Sequence, residues 1–228
     1  MKVINIKNLE KIYNESEVKV HAVRGIDLSF EQGEFAAIVG PSGSGKTTLL
    51  NMIGGLDKPS SGSVTINSTN IGELKSTELI DFRLNNIGFV FQAYNLIPVL
   101  TAKENVEFIM HLQKKPKAER EKRTKELLEA VGLGDRINSR PSKMSGGQQQ
   151  RVAVARALAS KPKFILADEP TANLDSSSTE NLLDIMEKLN KEENITFIFS
   201  THDTRVVKKA RRVITIEDGT VVNDELKK

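Results

Sequence analysis

The chain has 228 residues, no cysteine, and 33 basic against 30 acidic side chains, a net charge of +3. That excludes disulfides, thiolate metal sites and cysteine nucleophiles, and so small a charge excess does not by itself direct the chain to nucleic acid or to a membrane surface. Hydrophobic residues make up 38% and charged residues 28%, the balance of a globular protein with a sizeable core. No apolar run reaches the ~18 residues of a membrane span. The start, MKVINIKNLEKIY, lacks the apolar core and cleavage site of a secretory signal. The expectation is a cytoplasmic protein, or the cytoplasmic face of a larger assembly.

In chain order, Ile26 to Phe30 alternates apolar and polar residues, and Ser63 to Asn67 repeats that period of two, the pattern of half-buried strands. Between them FAAIVG (35–40) is a short apolar run that feeds a glycine-rich turn and then a helix-like TTLLNMI. IGFVF (87–91), FILA (164–167) and TFIFS (196–200) are apolar throughout, as strands buried on both faces of a parallel sheet are. From Ala93 to Ser142 the composition turns highly charged, with Glu119–Arg123 and Glu121–Lys125 at helical i,i+4 spacing. This reads as a helical insert with a solvated face. VAVARALA (152–159) reads as a buried helix, and VITI, Asp218-Gly219 and VV as a closing hairpin.

The endings of the apolar runs carry the chemistry. FAAIVG ends in GPSGSGKTT, IGFVF in Gln92, FILA in Asp168-Glu169, and TFIFS in Thr201-His202-Asp203. Ligands of open α/β sheets bind beyond the carboxyl ends of the strands, so four polar endings predict one shared crevice. Gly40 to Thr47 satisfies G-x-x-x-x-G-K-[ST] in full. The glycines let backbone N–H groups converge on phosphate oxygens, Lys46 adds positive charge near the β- and γ-phosphates, and Thr47 offers a hydroxyl to Mg2+. Asp168 suits a direct or water-mediated Mg2+ contact. Glu169 can accept a proton from the attacking water or orient it. An Asn-Lys-x-Asp segment for guanine is absent, which favours ATP, with Tyr13 either a stacking platform for the base or a packing residue. In SGGQQQR (145–151), Ser145 is a good N-cap, and Gly146 and Gly147 bare the first turn of a helix. Backbone N–H groups and the helix dipole then form a second anion site.

GPSGSGKTT, Gln92, MSGGQQQR, FILADEP, Asn173-Leu174-Asp175 and His202 occur in this order almost end to end. Together they resemble the ATP-binding subunit of ABC transporters. GGLDKPSSG (54–62) and FQAYNLIPVLTAKENV (91–106) are similar to the branch with lipoprotein-releasing and macrolide exporters. The resemblance implies an α/β fold: a phosphate-loop core with a mainly parallel sheet, an N-terminal antiparallel β subdomain and an inserted helical subdomain. It implies one domain over 1–228, with 1–92 and 160–228 as nucleotide-binding core and 93–159 as the helical part.

It further implies that Tyr13 stacks on adenine and that Ser42, Gly43, Ser44, Gly45, Lys46, Thr47 and Thr48 hold the triphosphate. Gln92 touches Mg2+ or the water while its loop senses a membrane partner. Asp168 supports Mg2+, Glu169 is the catalytic base, His202 contacts the γ-phosphate, and Asp175 lies at a dimer seam. Ser145, Gly146, Gly147 and Gln148 face the other subunit's ATP in a head-to-tail homodimer. Integral membrane permease subunits are the expected partners and nucleic acid is not. Met144 stands where Leu is common and Ala172 where this branch often has Gly, neither a functional group. A soluble ATPase of the same class working on DNA or ribosomes is the alternative. Those relatives carry a long internal coiled coil or tandem ATPase domains, and this sequence has one copy of each motif. A phosphate-loop kinase leaves SGGQQQR and His202 without a purpose.

Overall fold

The computed structural model describes residues 2–14 and 19–227. The alternating segments pair as an antiparallel sheet. β1 (Lys2–Tyr13) lies between β2 (Val20–Glu31) and β4 (Ser61–Ile66), and the short β5 (Thr69–Asn70) closes the order β2-β1-β4-β5. Ile4 opposes Phe30 and Ile66, and Ile6 opposes Leu28 and Val64. One face is therefore a continuous apolar surface while the other keeps its polar residues in water.

The apolar runs build the second sheet. β3 (Phe35–Val39), β6 (Ile87–Phe91), β7 (Phe164–Asp168), β8 (Thr196–Ser200), β9 (Arg212–Glu217) and β10 (Thr220–Leu226) assemble in the order β10-β9-β3-β8-β7-β6. All neighbours are parallel except the β9–β10 hairpin. Successive residues of a strand point to opposite faces. Phe35, Ile165, Phe197 and Phe199 pack on one side and Ala36, Ile38, Leu166 and Ile198 on the other. Both faces are covered, which is why these strands are apolar without alternation.

On one face α1 (Lys46–Ile53) fills the space between the two sheets through Leu49, Leu50, Met52 and Ile53. The other face carries α3 (Ala102–Leu112), α4 (Lys117–Ala130), α5 (Gly146–Ala159) and α6 (Ser176–Glu193). The short α7 (Thr204–Lys209) follows β8. Of these, α5 is the central one, with Val152, Ala153, Val154, Ala155 and Leu158 all inaccessible to water.

The structure adds a helix and changes one expectation. α2 (Ser76–Asn86) lies between Asn67 and Ile87, where the sequence pattern assigned no element; none of its residues is fully buried, and only Leu79 and Phe82 pack half-buried on the core. The i,i+4 pairs expected within α4 give way to others. Glu121 accepts from Lys103 of α3 at 3.1 Å, Arg123 reaches Glu193 of α6 at 2.6 Å, and Glu119 pairs with Lys115 at 3.2 Å. A pairing across helices wins where packing brings a better-placed partner to the same side chain.

Leu158 is fully buried between α5 and the sheet, so Leu158→Ala should cost about 2–5 kcal/mol. Val99 is 70% exposed, and Val99→Ala should stay within about 0.5 kcal/mol. Urea unfolding of both variants checks the contrast.

Candidate functional site

The phosphate loop links β3 to α1. Gly45 is the N-cap of α1 with φ 99°, and a Cβ there would lie 2.2 Å from the carbonyl oxygen of Ala22. Only glycine fits the backbone conformation and the close approach together. Lys46 donates to the carbonyls of Gly40 and Pro41 at 2.9 and 2.8 Å, so its ammonium curls back over its own loop. Ser44 is 3% exposed and its Oγ makes no hydrogen bond. A buried hydroxyl without a partner, an ammonium and a helix N-terminus within one short loop form a donor set that fits a bound polyphosphate.

Parallel register brings the acids to that loop. Phe91 opposes Asp168, and Asp168 opposes Ser200. Thr47 donates its hydroxyl to Asp168 Oδ1 at 3.0 Å, which sets two hard oxygens side by side, as a divalent cation shared with phosphate oxygens requires. Among the described residues no three acidic or histidine side chains group into a metal site of their own. Mg2+ would have to take most of its ligands from nucleotide and water.

Glu169 takes φ 45°, a left-handed conformation that costs about 1–3 kcal/mol for such a residue. It is fixed there by its N–H bond to the carbonyl of Ser200 at 2.8 Å. Its carboxylate lies 2.7 Å from His202 Nδ1 and accepts from the Thr201 hydroxyl at 3.3 Å. With Nδ1 protonated, His202 donates to Glu169 and keeps Nε2 for a ligand. Its side chain is 74% exposed and free to meet one.

The loop after β6 is held carbonyl by carbonyl. Asn173 donates to Gln92 O at 3.1 Å, and Arg156 of α5 donates to Tyr94 O at 2.9 Å and to Asn95 O at 2.5 Å. Tyr94 and Asn95 both have positive φ, so these bonds stabilise a strained turn. Burial lowers the pKa of Arg156.

A cavity of about 730 Å3 collects most of the predicted residues: Tyr13, Ser42, Gly43, Gly45, Lys46, Thr47, Thr48, Gln92, Glu169 and His202 line it, while Ser44 and Asp168 do not. Tyr13 donates to Asp57 at 2.7 Å, and Lys11 Nζ lies 4.8 Å from its ring centroid. The ring is thus fixed in place beside the phosphate loop. The sequence reading missed His21 and Ala22, which also line the cavity. They sit at the start of β2 with nothing in the local pattern to set them apart.

Ser145, Gly146, Gly147 and Gln148 do not line this cavity. Ser145 caps α5 in a reciprocal box: its Oγ accepts from Gln148 N at 3.3 Å and its N–H donates to Gln148 Oε1 at 2.9 Å. The sequence reading took both glycines as clearing the helix end for an anion, but the structure gives them work inside the chain. A Cβ at Gly146 would lie 2.7 Å from the Tyr94 hydroxyl, and one at Gly147 would lie 2.9 Å from Ser178 Oγ. Arg151, at the end of the same stretch, donates to Asn181 of α6 at 2.7 Å. Asp175 caps α6. It accepts the Ser178 N–H at 2.8 Å and the hydroxyls of Ser178 and Ser177, and these bonds hold its carboxyl at about 2.

A parallel sheet whose strand ends gather a glycine-lysine loop, a Thr–Asp pair and a Glu–His pair defines a phosphate-loop nucleotide-binding protein. Comparison with known proteins narrows the class. A family model described as ABC transporter matches residues 23–172. An uncharacterised ABC transporter ATP-binding protein of Thermotoga maritima is 49% identical over 220 residues, 96% of this chain and 94% of its own. The macrolide export ATP-binding/permease protein MacB of Aggregatibacter actinomycetemcomitans is 46% identical, spanning 100% of this chain but 35% of that longer protein. A solved dimeric post-hydrolysis structure of the ATP-binding cassette MJ0796, bound to ADP and Pi, superposes with a TM-score of 0.90, 44% identity and 99% coverage of both chains. The chain belongs to the ABC transporter family, as an ATP-binding cassette and an ATPase.

Two measurements follow. Gly146→Ala should lower both stability and ATPase activity, and adding Tyr94→Phe, which removes the clashing hydroxyl, should restore part of the stability in thermal unfolding. Asp175 has a folded pKa of about 2, below the unfolded value of about 3.9. Its stabilisation is therefore complete above about pH 4 and lost as pH falls towards about 2. Asp175→Asn should lower the unfolding midpoint at neutral pH, and its difference from wild type should shrink as pH drops below about 4.

Proposed function

We propose that the chain is the motor subunit of an export or extraction transporter, hydrolysing MgATP at the seam of a head-to-tail homodimer and working on separate membrane subunits. The observation that carries this reading is the separation of two anion-binding ends. One chain bears a phosphate loop inside its cavity and a capped, exposed helix start at Ser145 outside it. The second has no phosphate of its own chain to meet and suits the nucleotide of a partner copy. The dimeric structures of MJ0796, at 44% identity, support the arrangement.

In this reading Tyr13 stacks on adenine, and Ser42 through Thr48 receive the triphosphate. Binding draws the Lys46 ammonium from its own carbonyls to the phosphates, exchanging neutral acceptors for charged ones. Thr47, Asp168 and Gln92 hold Mg2+, which neutralises developing phosphate charge when bound. Glu169 takes the proton of the attacking water, and His202, oriented by Glu169, presents its remaining nitrogen to the γ-phosphate. The loop of Gln92 faces the membrane partner.

Among the described residues no helix is long and apolar enough to cross a membrane. In this reading the translocation path belongs to separate membrane subunits, and this subunit is peripheral at the inner face of the membrane. The MacB relatives, named as macrolide export ATP-binding/permease proteins, support a permease partner of that type.

Glu169→Gln should bind ATP normally, lose on the order of 10²–10⁴-fold in kcat, and accumulate as an ATP-dependent dimer in size-exclusion chromatography with MgATP. A variant that stays monomeric, or that still hydrolyses, contradicts the proposal. Lys46→Ala should raise the Kd for a fluorescent ATP analogue at least tenfold, about 1.4 kcal/mol.

A further inference from the structure

Gln150 lies on α5 little more than one turn beyond Ser145 and is completely buried. Its amide nitrogen donates twice, to the carbonyl of Phe91 at 3.2 Å and to that of Pro170 at 2.7 Å. Phe91 immediately precedes Gln92, and Pro170 immediately follows Glu169. The last pair of the β6–β7 ladder is Phe91 with Asp168. The amide therefore spans the two chains at the point where they leave the sheet for the cavity. Its Oε1 is buried and accepts no hydrogen bond. An uncompensated acceptor in the core is costly, and the two donor bonds are what the amide supplies in return.

We propose that Gln150 is a positioning residue that sets the separation between the loop carrying Gln92 and the turn carrying Glu169, and ties both to the helix that starts at Ser145. Arg156 holds the loop from another side and Asn173, in the turn after Glu169, bonds the Gln92 carbonyl directly, while Gln150 ties both the loop and the turn to α5. A partner nucleotide engaging Ser145 at the N-terminus of α5 thereby acts on the same rigid helix that spaces this subunit's own Gln92 and Glu169. Misplacement of a reacting group by about 1 Å can cost on the order of 100-fold in rate, so a single buried amide has leverage on kcat without touching the nucleotide. The inference rests on the roles proposed above for Glu169 and Gln92.

The test is steady-state ATPase kinetics of the full chain carrying Gln150→Leu or Gln150→Glu, measured beside Glu169→Gln. Gln150→Leu should keep KM for ATP within about twofold and lose on the order of 10- to 100-fold in kcat. Gln150→Glu keeps the shape of the side chain and can donate only when protonated. Burial against two carbonyls raises its carboxyl pKa, so its kcat relative to wild type should fall as pH rises from about 6 to about 9, with KM flat. Wild-type kcat in Gln150→Leu, or a loss carried entirely by KM, overturns the inference. If Gln150→Leu does not fold, the Gln150→Glu profile decides, and a profile parallel to wild type overturns it. Hydrolysis retained by Glu169→Gln overturns the reading of the site and this inference with it. An inactive Glu169→Gln beside an active Gln150→Leu overturns the inference alone.

Discussion

The register of the parallel sheet is the constraint on which the rest depends. Asp168 pairs with Ser200 and Phe91 with Asp168, while the N–H of Glu169 bonds to Ser200 O and that of Thr201 to Ile38 O. These bonds place the ends of β3, β6, β7 and β8 at one level, so that Lys46, Gln92, Glu169 and His202 face one cavity. A slip of one residue in β7 would turn Asp168 to the other face of the sheet and break its bond from Thr47. The phenylalanines on one face and the aliphatic residues on the other make that slip prohibitive, because every buried side chain in the strand would change sides.

Of the ten described non-glycine residues with positive φ, three lie at the site. Glu169 has positive φ, as do Tyr94 and Asn95 in the loop after β6. Each is held by hydrogen bonds from neighbouring elements, two of them from Arg156 on α5. Helix α5 is therefore more than core filling. Its middle is apolar and inaccessible, its first turn is an exposed capped N-terminus, and its polar buried residues reach out to the loop and the turn. Burial of that middle supplies the stability that holds the exposed first turn and the strained loop after β6 in place.

The sequence made most of this legible because the chemistry is local. The phosphate loop, the acids after FILA and the histidine after TFIFS are each a few contiguous residues at a strand end, and the apolar runs announce the parallel sheet. Helix α2 was hidden because its packed face is only Leu79 and Phe82, both half-buried, while Ile80 beside them is exposed. The partners of Glu121 and Arg123 were hidden because they lie on other helices. The intrachain purpose of Gly146 and Gly147 was invisible for the same reason, since Tyr94 and Ser178 meet them only in three dimensions. Gln150 looked like one of three glutamines in a row, and only its burial and its two carbonyl acceptors separate it from its neighbours.

The central claim is that a working site takes its phosphate loop from one copy and its Ser145 end from another. The most direct test mixes two inactive variants, one altered only in the phosphate loop (Lys46→Ala) and one altered only at the helix start (Ser145→Arg). The account predicts that each alone is inactive and that the mixture recovers about a quarter of wild-type ATPase activity. That figure assumes random pairing, with half the dimers mixed and each mixed dimer holding one intact site. A mixture no more active than either variant alone contradicts it.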